Sequence, residues 1–97
     1  MLQKFRTYQL ALDFHKECQK LPTKGEIKDQ LSRASLSIVL NTAEGAGRVG
    51  AKDKKHFYSI ALGSLRETEA ILDITESLHL KALANQIGAC LYVLSRK

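Results

Sequence analysis

From Phe5 to Leu94 the apolar residues return at steps of three and four, and Pro22 is the only proline placed to interrupt them. That spacing lines up side chains on one face of an α-helix. No stretch alternates at period two over a useful length, so no sheet is expected. Phe5, Tyr8, Ala11, Leu12, His15, Cys18 and Leu21 make one stripe, on a helix of about residues 4–20 that Pro22 stops. Thr23-Lys24-Gly25-Glu26 reads as a capping box opening a second helix over about 24–48, with stripe Ile27, Leu31, Ala34, Ile38, Thr42 and Gly45. Gly50 is placed to end it. A third helix over about 52–78 carries Phe57, Ala61, Ser64, Thr68, Ile71, Thr75 and Leu78, flanked by Leu65 and Leu72. A fourth, over about 80–95, carries Leu80, Leu83, Ile87, Leu91 and Leu94. Short connections between long helices make neighbours antiparallel. The expectation is a single all-α domain, an antiparallel up-down-up-down four-helix bundle spanning all 97 residues.

One segment argues at first for different chemistry. Gly45-Ala46-Gly47-Arg48-Val49-Gly50 spells G-x-G-x-x-G, the dinucleotide-binding fingerprint, and Lys52 follows as if in a P-loop. The fingerprint works after a strand and at the start of a helix, where the helix N-terminus meets phosphate. Here it closes a helix, whose C-terminal dipole is partially negative. Ala51 also separates Gly50 from Lys52, which breaks the P-loop pattern. Each interior glycine costs about 1 kcal/mol against alanine. Gly45 and Gly47 therefore suggest a backbone that another helix approaches closely, or else caps on a helix that frays early.

Helix 2 has more than one apolar face. Leu36, Leu40, Ala43 and Gly47 lie roughly opposite the core stripe, with Val39 to one side. A polar stripe of Arg33, Ser37, Asn41, Glu44 and Arg48 runs between them. A bundle this small uses one side of helix 2 for its own core, so the second apolar face predicts a contact with another copy of the chain. The alternative is cover by the N-terminal tail or a loop. Glu44 and Arg48 form an i, i+4 pair in the favourable order, and Arg33 and Asn41 are read as satisfying groups across the interface rather than as catalytic.

These residues carry a family resemblance. "DQLSRASLSIVLNTAEGAGR", residues 29–48, resembles the pattern Q-L-x-R-A-x-x-S-I-x-x-N-I-A-E-G-x-G-R of the four-helix bundle proteins encoded by intervening sequences in bacterial 23S ribosomal RNA genes. "FYSIALGSLRETEAIL", residues 57–72, resembles that family's second block, F-x-x-I-A-x-G-S-x-x-E-x-E-x-x-L, and "YQLALDFHKE" also fits. Thr42 stands where the pattern has isoleucine; its hydroxyl can bond back to the preceding turn, at some loss of local packing. The resemblance implies a left-handed bundle assembled as a homopentameric ring, with no enzyme activity and a suspected association with RNA or DNA.

The topology gives the charge a place. Net charge is +5, and Lys4, Arg6, Arg48, Lys52, Lys54 and Lys55 fall at one pole, opposed by Asp53. Arg96 and Lys97 join them if helix 4 reaches that far. Such a pole suits a phosphate backbone, or is simply a solvated helix end. Phe57 is assigned to the core, so base stacking is not indicated. Other chemistry is thin. His15 and Cys18 are spaced i, i+3 but have no second pair of ligands, and no E-x-x-H motif is present, so neither a metal nor a cofactor is expected. Two distant cysteines, and no apolar run near a membrane span, point to a cytoplasmic protein with no membrane partner and no small-molecule substrate. Two functions compete: a homo-oligomer whose basic pole engages nucleic acid, and a structural or protein-interaction adaptor.

Overall fold

Four helices dominate the computed structural model, which describes Leu2 and residues 5–97. They are α1 (Arg6–Gln19), α2 (Gly25–Gly47), α3 (Ala51–Ile74) and α4 (Lys81–Arg96), with a 3-10 turn at Leu78–Leu80 leading into α4. No strand occurs among the described residues. α2 packs against α1 and α3, α3 against α4, and α1 returns to α4, so the four surround one core in a molecule about 39 Å long and 21 Å across.

Each helix contributes one buried line. α1 buries Thr7, Ala11, Phe14 and Cys18, α3 buries Tyr58, Ala61, Leu65, Thr68, Ile71 and Leu72, and α4 buries Ala84, Ile87, Gly88 and Leu91. α2 buries Leu31, Ala34, Ser35, Ile38, Val39, Thr42 and Gly45. Two aromatic assignments change. Phe14, outside the expected stripe, is fully buried, while Tyr8, Leu12 and His15 sit half-buried at the edges. His15 turns into the α1–α2 seam, where its Nδ1 lies 2.7 Å from the buried Ser35 hydroxyl. On α3 the core place belongs to Tyr58, not Phe57. Buried residues 58, 61, 65, 68 and 72 set the register, and one residue off that line is a rotation of about 100°. Phe57 is left at the surface edge, with the Arg48 guanidinium 4.7 Å above its ring.

The connections differ from expectation in instructive ways. The capping box does not form: Lys24 is the N-cap of α2 and makes no side-chain cap. The chain turns into the helix through Gly25 at φ +58°, which takes Thr23 out of cap register. Gly50 does not end α2. Arg48 does, by adopting an extended conformation, and Gly50 is the N-cap of α3, its carbonyl accepting from Lys54 N at 3.0 Å. α3 stops at Ile74, short of residue 78. Its end is a Schellman turn: Ser77 N donates to Leu72 O and Glu76 N to Asp73 O, with Glu76 held at φ +57°. Leu78, expected on the core stripe, is left 66% exposed.

Thr42 also departs from its expected role. It is fully buried, and its hydroxyl has no hydrogen-bond partner among the described residues. Thr68 and Thr75 bond back to Ser64 O and Ile71 O, at 2.8 and 2.9 Å. Thr42 makes no such bond.

Candidate nucleic-acid interface

Three parts of the chain meet at one end of the molecule: the start of α1, the α2–α3 connection and the end of α4. The Phe5 ring lies 6.4 Å from that of Tyr58, and Lys97 lines a cleft with Lys54 and Lys55. Arg6 and Lys52 are exposed at the first turns of α1 and α3. Lys4 lies outside the described residues. Asp53 is exposed in the same turn of α3 as Lys52.

These cations are not equivalent. Lys54 is half-buried, and its ammonium donates to Gly45 O at 3.3 Å and Ala46 O at 3.2 Å. It closes the C-terminus of α2, where carbonyls lack helical partners and the dipole is negative. Arg48 pairs with Glu44 at 2.9 Å and stacks on Phe57. Both partners of that pair are about half exposed, so it contributes only a few tenths of a kcal/mol. Arg6, Lys52, Lys55 and Lys97 are in none of the ion pairs among the described residues. Lys97 comes from the far end of the sequence and joins this set only because α4 runs through Arg96.

Beside the lysines is a cavity of about 420 Å3, bounded by Leu2, Phe5, Ala43, Ala46, Gly47, Lys54 and Tyr58. A smaller one of about 140 Å3 lies among Lys54, Lys55, Tyr58, Leu94 and Lys97. Lys54 and Tyr58 line both, and no carboxylate lines either. Sequence reasoning missed this feature because it assigned Phe57 to the core and so read no base stacking at the basic end. The signal was Gly45. A Cβ there would stand 2.7 Å from Tyr58 Cε1, so the glycine makes room for an aromatic ring of α3, not for a backbone. Gly47 has no such reason, since a Cβ there meets nothing within 4 Å.

The outward stripe of α2 is open to solvent. Leu36 is 41% and Leu40 58% exposed, Ala43 is half-buried and Gly47 exposed. Arg33 is exposed too. In the polar stripe, Ser37 and Ser64 share a 2.7 Å hydrogen bond between α2 and α3. Asn41 Nδ2 donates to Ser37 O at 3.0 Å and to Ser37 Oγ at 3.1 Å, so its amide is engaged within its own helix. Ile60, one turn from Ser64, adds a further exposed apolar side chain on that flank.

Cys18 is buried in apolar surroundings, which push its thiol up to about 12, and no group of three His, Cys, Asp or Glu side chains suited to a metal occurs among the described residues. No helix among them is long and apolar enough to cross a membrane. Fold and site together define a small four-helix protein that presents one lysine-rich end and one apolar flank. The family model of the 23S rRNA-intervening sequence protein matches residues 3–90, and the chain belongs to that family. No curated protein and no solved structure gives a significant match.

Proposed function

We propose that the protein is a non-enzymatic, homo-oligomeric four-helix bundle, antiparallel in up-down-up-down order, whose basic end binds the backbone of RNA or DNA. The observation that carries this reading is a cleft that Lys55 and Lys97 line together and no carboxylate lines, with Arg6 and Lys52 exposed in the first turns of α1 and α3. Cations held at one end neutralise phosphates and release counterions. The antiparallel order is supported by two contacts: Ser37 meets Ser64, while Gly45, further along α2, meets Tyr58, earlier on α3.

The test is affinity for random-sequence RNA against salt. The logarithm of the binding constant should fall linearly with the logarithm of salt concentration, and Lys52→Gln/Lys55→Gln/Lys97→Gln should flatten that slope. Lys54 is left intact because it closes α2. Binding absent at low salt, or a slope untouched by the triple substitution, rejects the proposal.

Self-association is the second part, and the exposure of Leu36, Leu40 and Ile60 favours it. The proposed contact uses Arg33, Leu36, Ser37, Leu40, Asn41, Ala43, Glu44, Gly47 and Arg48, in the five-membered ring that the family resemblance implies. Leu40→Glu should reduce the mass seen by light scattering to that of one chain. A wild-type protein that is already monomeric rejects this part, and the apolar flank would then suit an adaptor role with a different protein.

A further inference from the structure

We infer that the cavity beside Lys54 accepts one unstacked base of a single-stranded nucleic acid, whose phosphates lie along Lys55, Lys97 and Lys52. This rests on the nucleic-acid reading above and makes it more specific. A duplex offers a basic surface its phosphates but keeps its base faces stacked inside. A single strand offers apolar, aromatic faces alternating with phosphates.

The two cavities match that alternation. The larger, about 420 Å3, is within the rough 300–1,000 Å3 range of small-molecule sites. Its walls include the Phe5 and Tyr58 rings, whose planes are inclined by 57° to each other. The Tyr58 ring is held by Gly45 beneath it. Burial raises the pKa of Tyr58, which keeps the hydroxyl protonated and able to donate to a base carbonyl. Leu2, Ala43, Ala46 and Gly47 complete the lining, and Ala43 and Gly47 are shared with the proposed self-contact. The smaller cavity shares Lys54 and Tyr58 and adds Lys55 and Lys97, which places cations where a phosphate next to the inserted base would lie. An aliphatic side chain from a second copy would fill the apolar walls but leave these cations unpaired.

The experiment compares oligouridylate, the same strand with abasic residues, and a duplex of equal charge, at low salt. Wild type should bind intact strand about tenfold more tightly than abasic strand, the effect of roughly one stacked base. Ala46→Leu fills the cavity and lies outside the proposed self-contact; it should erase the intact-to-abasic difference. Tyr58→Phe keeps the ring on Gly45 and should lower the same ratio, which covers the case in which Ala46→Leu folds poorly. Equal affinity of wild type for intact and abasic strands overturns the inference while leaving backbone binding in place, as does a ratio that neither variant changes. If Ala46→Leu instead alters the light-scattering mass and spares the ratio, a second copy fills the cavity and the inference fails. If no strand or duplex binds, the parent reading falls too.

Discussion

On α2, Ile38 is fully buried, while Leu36, two residues earlier, leaves 41% of its surface exposed. Gly45 lies under the Tyr58 ring, while Gly47 faces open space. The same residue types thus occur on both faces of one helix under different constraints. The inner face is fixed by packing within the chain, where each atom displaced has a defined cost. The outer face carries apolar surface that nothing among the described residues covers.

The largest expected effect separates the faces directly. Ile38→Ala should destabilise the protein by about 2–5 kcal/mol in denaturant titrations, from lost burial plus the cavity left behind. Leu36→Ala should cost under about 0.5 kcal/mol in dilute solution, as surface changes do. A Leu36→Ala cost that grows with protein concentration would break the comparison in a useful way, because stability coupled to concentration is the mark of self-association.

The glycine pair sharpens the contrast. Alanine is the better helix former by about 1 kcal/mol at either position. At Gly45 the new methyl would stand 2.7 Å from Tyr58 Cε1 and 2.9 Å from Cδ1, so the buried ring must move. Overpacking of that kind costs about 1–3 kcal/mol, so Gly45→Ala should be destabilising on balance. Gly47→Ala should be neutral or stabilising by a few tenths of a kcal/mol, since Gly47 closes the helix and its methyl meets nothing. Equal effects at both positions would deny that Tyr58 is what requires Gly45.

Thr42 carries a smaller effect on the inner face. Thr42→Val replaces the partnerless hydroxyl with a methyl of similar shape and should stabilise the fold by about 1 kcal/mol, since a buried group without a partner pays its desolvation cost in full. A loss of stability in the melting curve would mean that the hydroxyl finds a partner after all.

Much of the inner face was legible before the structure, because burial imposes a period on the sequence. Leu31, Ala34, Ile38 and Gly45 of α2 follow it and are buried. The misreadings occur where a neighbour decides between adjacent residues. Phe57 and Tyr58 are both aromatic and both near the stripe, and only the register set by Leu65 and Leu72 selects the second. Glu76 gives no local signal for a left-handed turn, since glycine usually occupies that place; the Schellman bonds from Glu76 and Ser77 hold it there. The basic end was only half legible. Its charges could be counted along the chain, and Lys97 was expected there if α4 reached that far, but the sequence does not show that Lys54 folds back onto the end of α2 or that Arg48, paired with Glu44, is also held by Phe57. No spacing rule encodes the cavity between Phe5 and Tyr58, because its walls come from different elements.

The smallest effect tests the seam between α1 and α2, where inner face gives way to surface. Burial lowers the pKa of His15 below its ordinary 6.5, with Nδ1 2.7 Å from Ser35 Oγ. The fold therefore favours the neutral ring. Below the unfolded value the unfolded chain binds more protons than the folded one, so stability rises with pH through that window and falls as pH drops below about 6.5. Above it His15 makes no pH-dependent contribution. His15→Asn removes the titration while leaving a polar group for Ser35. The stability advantage of wild type over this variant should be constant near pH 8 and shrink toward about pH 5. An advantage that stays level across that range would show the ring to be as well solvated in the fold as in the unfolded chain, and the seam would then belong to the outer face of the comparison rather than the inner.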